Sequence, residues 1–184
     1  MTTVAASSPT AQALLTALNR EIALTRPFLE RPPDDKFDWQ PHPKSMPLGK
    51  LASHLTEMPG NIHDTFSSDS YDLNTAAPSD HPQPAATRAE VLARFETNVA
   101  AARTALAAAD EQALAHVWVM SYGDQVLIRQ PRAQIVRELL LDHLIHHRAQ
   151  LGVYLRLLDV PVPGTYGPTA DEPAFDFTLT NRPV

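Results

Sequence analysis

The 184-residue chain contains no cysteine. That absence excludes disulfides, thiolate metal sites and a cysteine nucleophile together, and leaves the cellular compartment open on redox grounds. A basic excess is also missing: 15 Lys and Arg against 21 Asp and Glu leave a net charge of −6, and no basic cluster stands out. A general nucleic-acid-binding role is therefore not expected. No apolar run approaches the ~18 residues that a membrane-spanning helix requires. The opening MTTVAASSPT has neither a basic n-region nor a hydrophobic h-region. No signal peptide is expected, and the cytoplasm is the default location. Two metal motifs are absent as well. Without HExxH there is no metalloprotease arrangement, and without Glu-x-x-His there is no ferritin-like di-iron site.

What remains is the composition of an ordinary globular domain, 43% hydrophobic and 20% charged. The length suits one domain with a good-sized core, residues 1–184, ending in an extended proline-rich tail from about residue 159. Four stretches carry helical periodicity. The first runs from Thr10 to Glu30, with Ser8 or Thr10 as N-cap, Pro9 near the first turn, and Pro27 expected to kink or fray its end. In the proline- and charge-rich loop that follows, Phe37 and Trp39 are expected to pin the chain to the body. The second helix begins near Met46 or Pro47 with Ser45 as N-cap. Leu48, Leu51, Leu55, Met58 and Ile62 form its apolar face, and Pro59-Gly60 predicts a kink or an end. After a polar connection, the third helix opens with Thr87 as N-cap and Glu90 completing a capping box, and runs to about Ala108. HVWVMSYGDQVLIRQ breaks the pattern, its β-branched and aromatic residues flanking Gly123-Asp124 as in a short β-hairpin. The fourth helix starts at Pro131 or Arg132 and runs to about Leu158. In the tail, Tyr166 and Phe175 point to packing on the body. The expected fold is all-α, a four-helix bundle with a short hairpin between helices three and four.

The most informative residues are His143 and His147, four apart in LLLDHLIHHRAQLGVYLRLL. On a helix such a pair shares one face, with Cβ atoms about 6 Å apart, close enough to chelate one ion. Setting Ile135 at zero and advancing about 100° per residue places Val136, Leu140, Leu151, Tyr154 and Leu158 between about 100° and 160°. His143 falls near 80° and His147 near 120°, both toward this stripe, whereas His146 falls near 20°, at its edge. Imidazoles beside leucines are costly unless each ring nitrogen has a partner, and a cation supplies one to both. The bland alternative is a pair of core histidines bonded to backbone carbonyls. A third ligand shifts the balance, and His54, beside Leu51 and Met58 on helix two, is the best placed. His42 and His81 lie in proline-rich loops, His116 opens the hairpin, and His63 follows the Pro59-Gly60 break.

MPLGKLASHLTEMPG and DHLIHHRAQLGVYLRLLDVPVPGTYGPTADE, together with the loop PDDKFDWQPHPKSM, resemble the signature segments of the DinB/YfiT-like family over nearly the whole chain. In that family one histidine of the second helix and a His-x-x-x-His pair of the fourth bind a divalent metal within a four-helix bundle. The resemblance thus implies His54, His143 and His147 as the ligands, an up-down-down-up bundle, and a homodimer. Three neutral imidazoles suit zinc or nickel best, iron or manganese less well, and leave an open position for water or substrate. The resemblance also implies an enzyme that transfers a low-molecular-weight thiol to an electrophilic small molecule. Metal-dependent hydrolysis and a non-catalytic, stress-related metal-binding role are the alternatives. No general base can be picked out. Glu57, one turn past His54, and Asp64 are candidates to support an imidazole N–H, against the commoner reading of solvated surface carboxylates. Arg148, near 220° on the wheel, is expected in an interhelical or subunit contact, and Tyr154 either at the site or in the core near a bundle end.

Overall fold

The computed structural model describes residues 8–77 and 83–172. Helix α1 (Pro9–Leu29) starts at a proline in its first turn, and Ser8 Oγ accepts the N–H of Ala11 at 3.1 Å. Pro27 does not break it. The proline sits in the last turn, and the helix closes with the Glu30 N–H donating to the Arg26 carbonyl.

A single 3₁₀ turn (Asp34–Lys36) leads to the loop that caps α2 (Leu48–Ser67). Ser45 is not the N-cap. The loop's own backbone takes that role, the Phe37 carbonyl accepting from Gly49 and the Trp39 carbonyl from Leu48. Phe37 is buried, and a Cβ on Gly49 would lie 2.5 Å from its ring, so only glycine admits this approach. Trp39 sets its ring edge-on to Tyr154 at 5.7 Å. Both aromatics pin the loop as expected.

The helix end expected as one outcome at Pro59-Gly60 is absent, and α2 runs continuously through both. Pro59 lacks the N–H that would serve the Leu55 carbonyl. Gly60, having no side chain, lets Asn98 of the third helix approach, and its amide donates to the neighbouring Thr56 carbonyl at 2.8 Å. The partner helix therefore supplies a hydrogen bond beside the one that proline removes.

Strand β1 (Ser70–Asp72) lies in the polar connection, where the sequence showed no strand signal. Helix α3 (Arg88–Ala108) begins at the expected cap, with Thr87 Oγ1 accepting from Glu90 N–H. Glu90 reaches back to the Ala86 N–H, one residue before the usual partner in a capping box. A short helix α4 (Glu111–Ala115), capped by Asp110, precedes the hairpin. Strands β2 (Val117–Tyr122) and β3 (Gln125–Pro131) turn at Gly123, whose φ of +56° favours glycine, with a bulge between Met120 and Ser121. The sheet has three strands, not two, because β1 pairs parallel to β2 on the side away from β3.

The last helical stretch begins as one turn, α5 (Arg132–Gln134), widens into a π-helix over Ile135–Leu141, and continues as α6 (Asp142–Leu157). The chain is thus mostly helical with a small sheet. One core of leucines, Phe95, Val91, Ile135 and Trp118 runs between the long helices, and most of these side chains are fully enclosed. Among the described residues no helix is long and apolar enough to cross a membrane. Tyr166 packs on the body, as expected, whereas Phe175 and His81 lie outside the described residues.

Candidate metal centre

Helix α2 buries Leu48, Leu51, Leu55, Met58 and Ile62, and that face turns His54 toward α6 with its side chain 27% exposed. Helix α6 buries Leu144, His147, Arg148, Leu151 and Leu155, leaving His143 half-buried at the edge of the face. The three histidines meet there. Their ring centroids are 5.2 Å apart for His54 and His143, 4.6 Å for His54 and His147, and 4.5 Å for His143 and His147. One nitrogen from each ring lies within 4.8 Å of the other two. The Nε2 atoms of His143 and His147 are 2.7 Å apart.

This donor set fits a divalent ion. Tetrahedral zinc with Zn–N bonds of about 2.0–2.1 Å needs donors roughly 3.3 Å from one another. The His143 and His147 nitrogens, 2.7 Å apart, stand closer than that, and all three donors lie within 4.8 Å of one another, so ligation calls for those two rings to separate slightly. The protonation states fit too. Burial, followed by the positive charges that neighbouring histidines would carry, pushes His143 below the ordinary imidazole range. Burial likewise drives His147 from 6.5 to about 4, against a raising contribution from the Gln150 hydrogen bond. Both rings are neutral near pH 7 and keep a lone pair for coordination.

Two of the three histidines have a partner three residues on. His54 Nδ1 lies 2.7 Å from Glu57 Oε2, and His147 Nδ1 lies 2.7 Å from Gln150 Oε1. Glu57 is thereby the carboxylate that supports an imidazole, while the Asp64 carboxylate lies 3.1 Å from the exposed His63. Gln150 is a partner that was not among the expected site residues. The signal was present as the i,i+3 spacing that His54–Glu57 also shows. The Gln150 amide extends to His146, 3.1 Å from its Nε2, and His146 itself stays exposed. Of the other histidines, His42 caps the Lys44 N–H within its loop, and His116 contacts Asp69. Tyr154 is half-buried with its hydroxyl donating to the Met46 carbonyl at 3.1 Å, which makes it an anchor for the loop before α2.

A pH prediction follows for chelator-stripped protein. An unfolded chain protonates His147 at 6.5, the folded chain only at about 4, so protons favour unfolding. The stabilising contribution is complete above pH 6.5 and is lost as pH falls toward 4. By pH 5 this amounts to about 2 kcal/mol, His147 being 8% exposed. Urea midpoints at pH 7.5 and 5 should show this drop in the stripped wild type and a smaller one in His147→Gln. Equal drops in both would show that His147 is not the responsible group.

The sequence profile of the DinB family matches residues 7–182. The crystal structure of a DinB-like protein from Bacillus cereus ATCC 10987 covers 84% of this chain and 97% of its own at 19% identity, with a TM-score of 0.65. A DinB-like protein from Bacillus subtilis, YjoA, covers 83% and 97% at 18% identity, with a TM-score of 0.62. These likenesses concern the fold. A search of curated proteins found no significant match.

Proposed function

Since the chain belongs to the DinB family, we propose that its three-histidine cluster binds a divalent metal ion and that the protein is a metal-dependent enzyme transferring a low-molecular-weight thiol to an electrophilic small molecule. The observation that carries the reading is the convergence of His54, His143 and His147, one nitrogen from each within 4.8 Å of the others. In this reading the four long helical stretches form an up-down-down-up bundle whose α2 and α6 faces hold the ligands. Zinc or nickel suits three imidazoles without a thiolate or carboxylate. The protein is cytoplasmic and acts as a homodimer.

When bound, such an ion supplies Lewis acidity that makes a coordinated thiol or water more acidic. The chain's own contribution is geometric. Two imidazoles on one helix and one on its neighbour would hold the ion and leave it able to take a further ligand, as three-ligand catalytic zinc sites do. Glu57 and Gln150 steady two of the rings from outside, and the leucines behind them keep water from the inner side of the site.

The test has two stages. Elemental analysis of untagged protein should find near-stoichiometric zinc or nickel. The loaded protein, given a bacterial thiol and 1-chloro-2,4-dinitrobenzene, should accelerate formation of the thioether. Sulfur bonds to the ring carbon, chloride leaves, and the thiol proton passes to solvent. Metal without thiol turnover would remove the transferase reading and leave hydrolysis or non-catalytic metal binding. Protein that neither carries nor takes up metal would remove all of them.

A further inference from the structure

The outer partners of the histidines do more than steady them. A carboxylate at neutral pH only accepts hydrogen bonds, so the 2.7 Å contact with Glu57 places the proton of His54 on Nδ1. At His147 the Gln150 carbonyl oxygen faces Nδ1 at 2.7 Å, while the same amide's nitrogen faces His146 Nε2 at 3.1 Å. An amide with its nitrogen engaged on one histidine and its oxygen on the other accepts a hydrogen bond from His147 Nδ1–H. We infer that Glu57 and Gln150 are positioning residues that hold His54 and His147 as Nδ1–H tautomers, so that each presents an unprotonated Nε2 before any ion arrives.

His143 differs. Its Nε2 stands 2.7 Å from the Nε2 of His147, and two imidazole nitrogens that close share one proton. With the His147 proton committed to Gln150, His143 supplies it and is the Nε2–H tautomer in the metal-free protein. For His143 to become a ligand, the proton leaves Nε2 and one is taken up at Nδ1 through solvent, with no change in charge. Two ligands are therefore preset, and the third is switched on loading. The surroundings agree with this division, since three residues on from His143 stands another imidazole, His146, 6.5 Å away between ring centroids. The two preset histidines also differ from each other. His54 leans on an anion and His147 on a neutral amide, which makes His54 the more strongly donating ligand.

The inference rests on the metal-binding reading, and the experiment separates the two. Full-length protein labelled with ¹⁵N-histidine is examined metal-free and zinc-loaded by long-range ¹H–¹⁵N correlation, which distinguishes Nδ1–H from Nε2–H rings. Metal-free wild type should show His54 and His147 as Nδ1–H and His143 as Nε2–H, and zinc should convert His143 alone. Glu57→Leu and Gln150→Leu should turn the corresponding ring into a tautomer mixture and weaken zinc binding by about 10–100-fold. Glu57→Gln and Gln150→Glu keep an acceptor and should retain the tautomer, with affinity within a few-fold of wild type. Gln150 is exposed and Glu57 half-buried, so these changes leave the core intact. His54 or His147 found as Nε2–H in metal-free wild type overturns the inference. So does zinc binding whose affinity and tautomers ignore both leucine variants, and that outcome leaves the metal reading standing. Wild type that binds neither zinc nor nickel overturns the metal reading and, with it, the positioning role.

Discussion

Arg148→Met is expected to destabilise the fold by about 3–5 kcal/mol, without removing any group that touches the histidine cluster. The Arg148 and Glu21 side chains are 3% and 8% exposed, and an Arg148 nitrogen lies 2.9 Å from Glu21 Oε2. Around this pair nearly every donor and acceptor is engaged. Arg148 donates to the Glu21 carbonyl, to Thr25 Oγ1 and to the Tyr166 hydroxyl, and that hydroxyl donates to Glu21 Oε2 at 2.5 Å. Burial, then the bond to Glu21, holds the Tyr166 phenol above its ordinary range, so it stays a neutral donor. Removing the guanidinium leaves a carboxylate out of water with one hydroxyl for company. The double variant Glu21→Leu/Arg148→Met removes both charges and should recover most of the loss, because two buried ions cost nearly as much to desolvate as their attraction returns. Urea midpoints at constant m-value would measure both. A loss under 1 kcal/mol for Arg148→Met would mean that water reaches Glu21. The value of the network is then topological. It joins α1, α6 and the tail at Tyr166, and it holds the helix that carries two of the three histidines against the body.

Arg148 also shows where the sequence was readable and where it was not. A helical wheel places it near 220°, off the apolar stripe, which predicts an interhelical or subunit contact. The contact exists, but the residue is 2% exposed because α6 packs against both α1 and α2, so its buried sector is wider than one stripe. Leu144 and Leu155 belong to that sector, while Tyr154 and Leu158 are only partly covered. Upstream, the π-helix over Ile135–Leu141 turns less per residue than an α-helix, so a wheel drawn from Ile135 accumulates error before it reaches His143. Nothing in IVRELLL announces the wider turn, since leucines serve either winding. The strand Ser70–Asp72 was equally invisible, its pairing to β2 being set by a chain segment about fifty residues away. Local signals fared better. Thr87 with Glu90, Gly123 in the hairpin and the aromatics of the loop before α2 each carry their own reason for the structure they adopt. Pro59 does not end its helix, and the hydrogen bond made beside it comes from Asn98, on another helix.

The three histidines were legible because their spacing on α6 and their place among leucines are local facts, whereas Glu57 and Gln150 needed the rotamers. This arrangement sets the second large effect. His54→Ala and His147→Ala should each lower bound metal from near one ion per chain to under a tenth, weakening affinity more than a hundred-fold. Two remaining imidazoles cannot match three, and losing a whole ligand exceeds the roughly 10–100-fold cost of losing an outer partner. Both variants should nevertheless fold. Leu51, Leu55, Leu144 and Leu151, all about fully enclosed, flank the site and belong to a core that runs the length of the helices. In this respect the site is unlike a zinc finger, in which the ion substitutes for a core and its removal unfolds the chain. Chelation of wild type should therefore lower Tm while leaving one cooperative transition. The size of the shift would report affinity, since an ion at about a thousand times its Kd adds roughly 4 kcal/mol. His147→Ala should unfold at the temperature of chelated wild type, less the cost of a small cavity, and chelator should not move it further. Variants that keep their metal would show that the imidazoles converge for packing and hydrogen bonding alone. Variants that lose both metal and cooperativity would make the ion structural, and the open fourth position would then have no claim to chemistry.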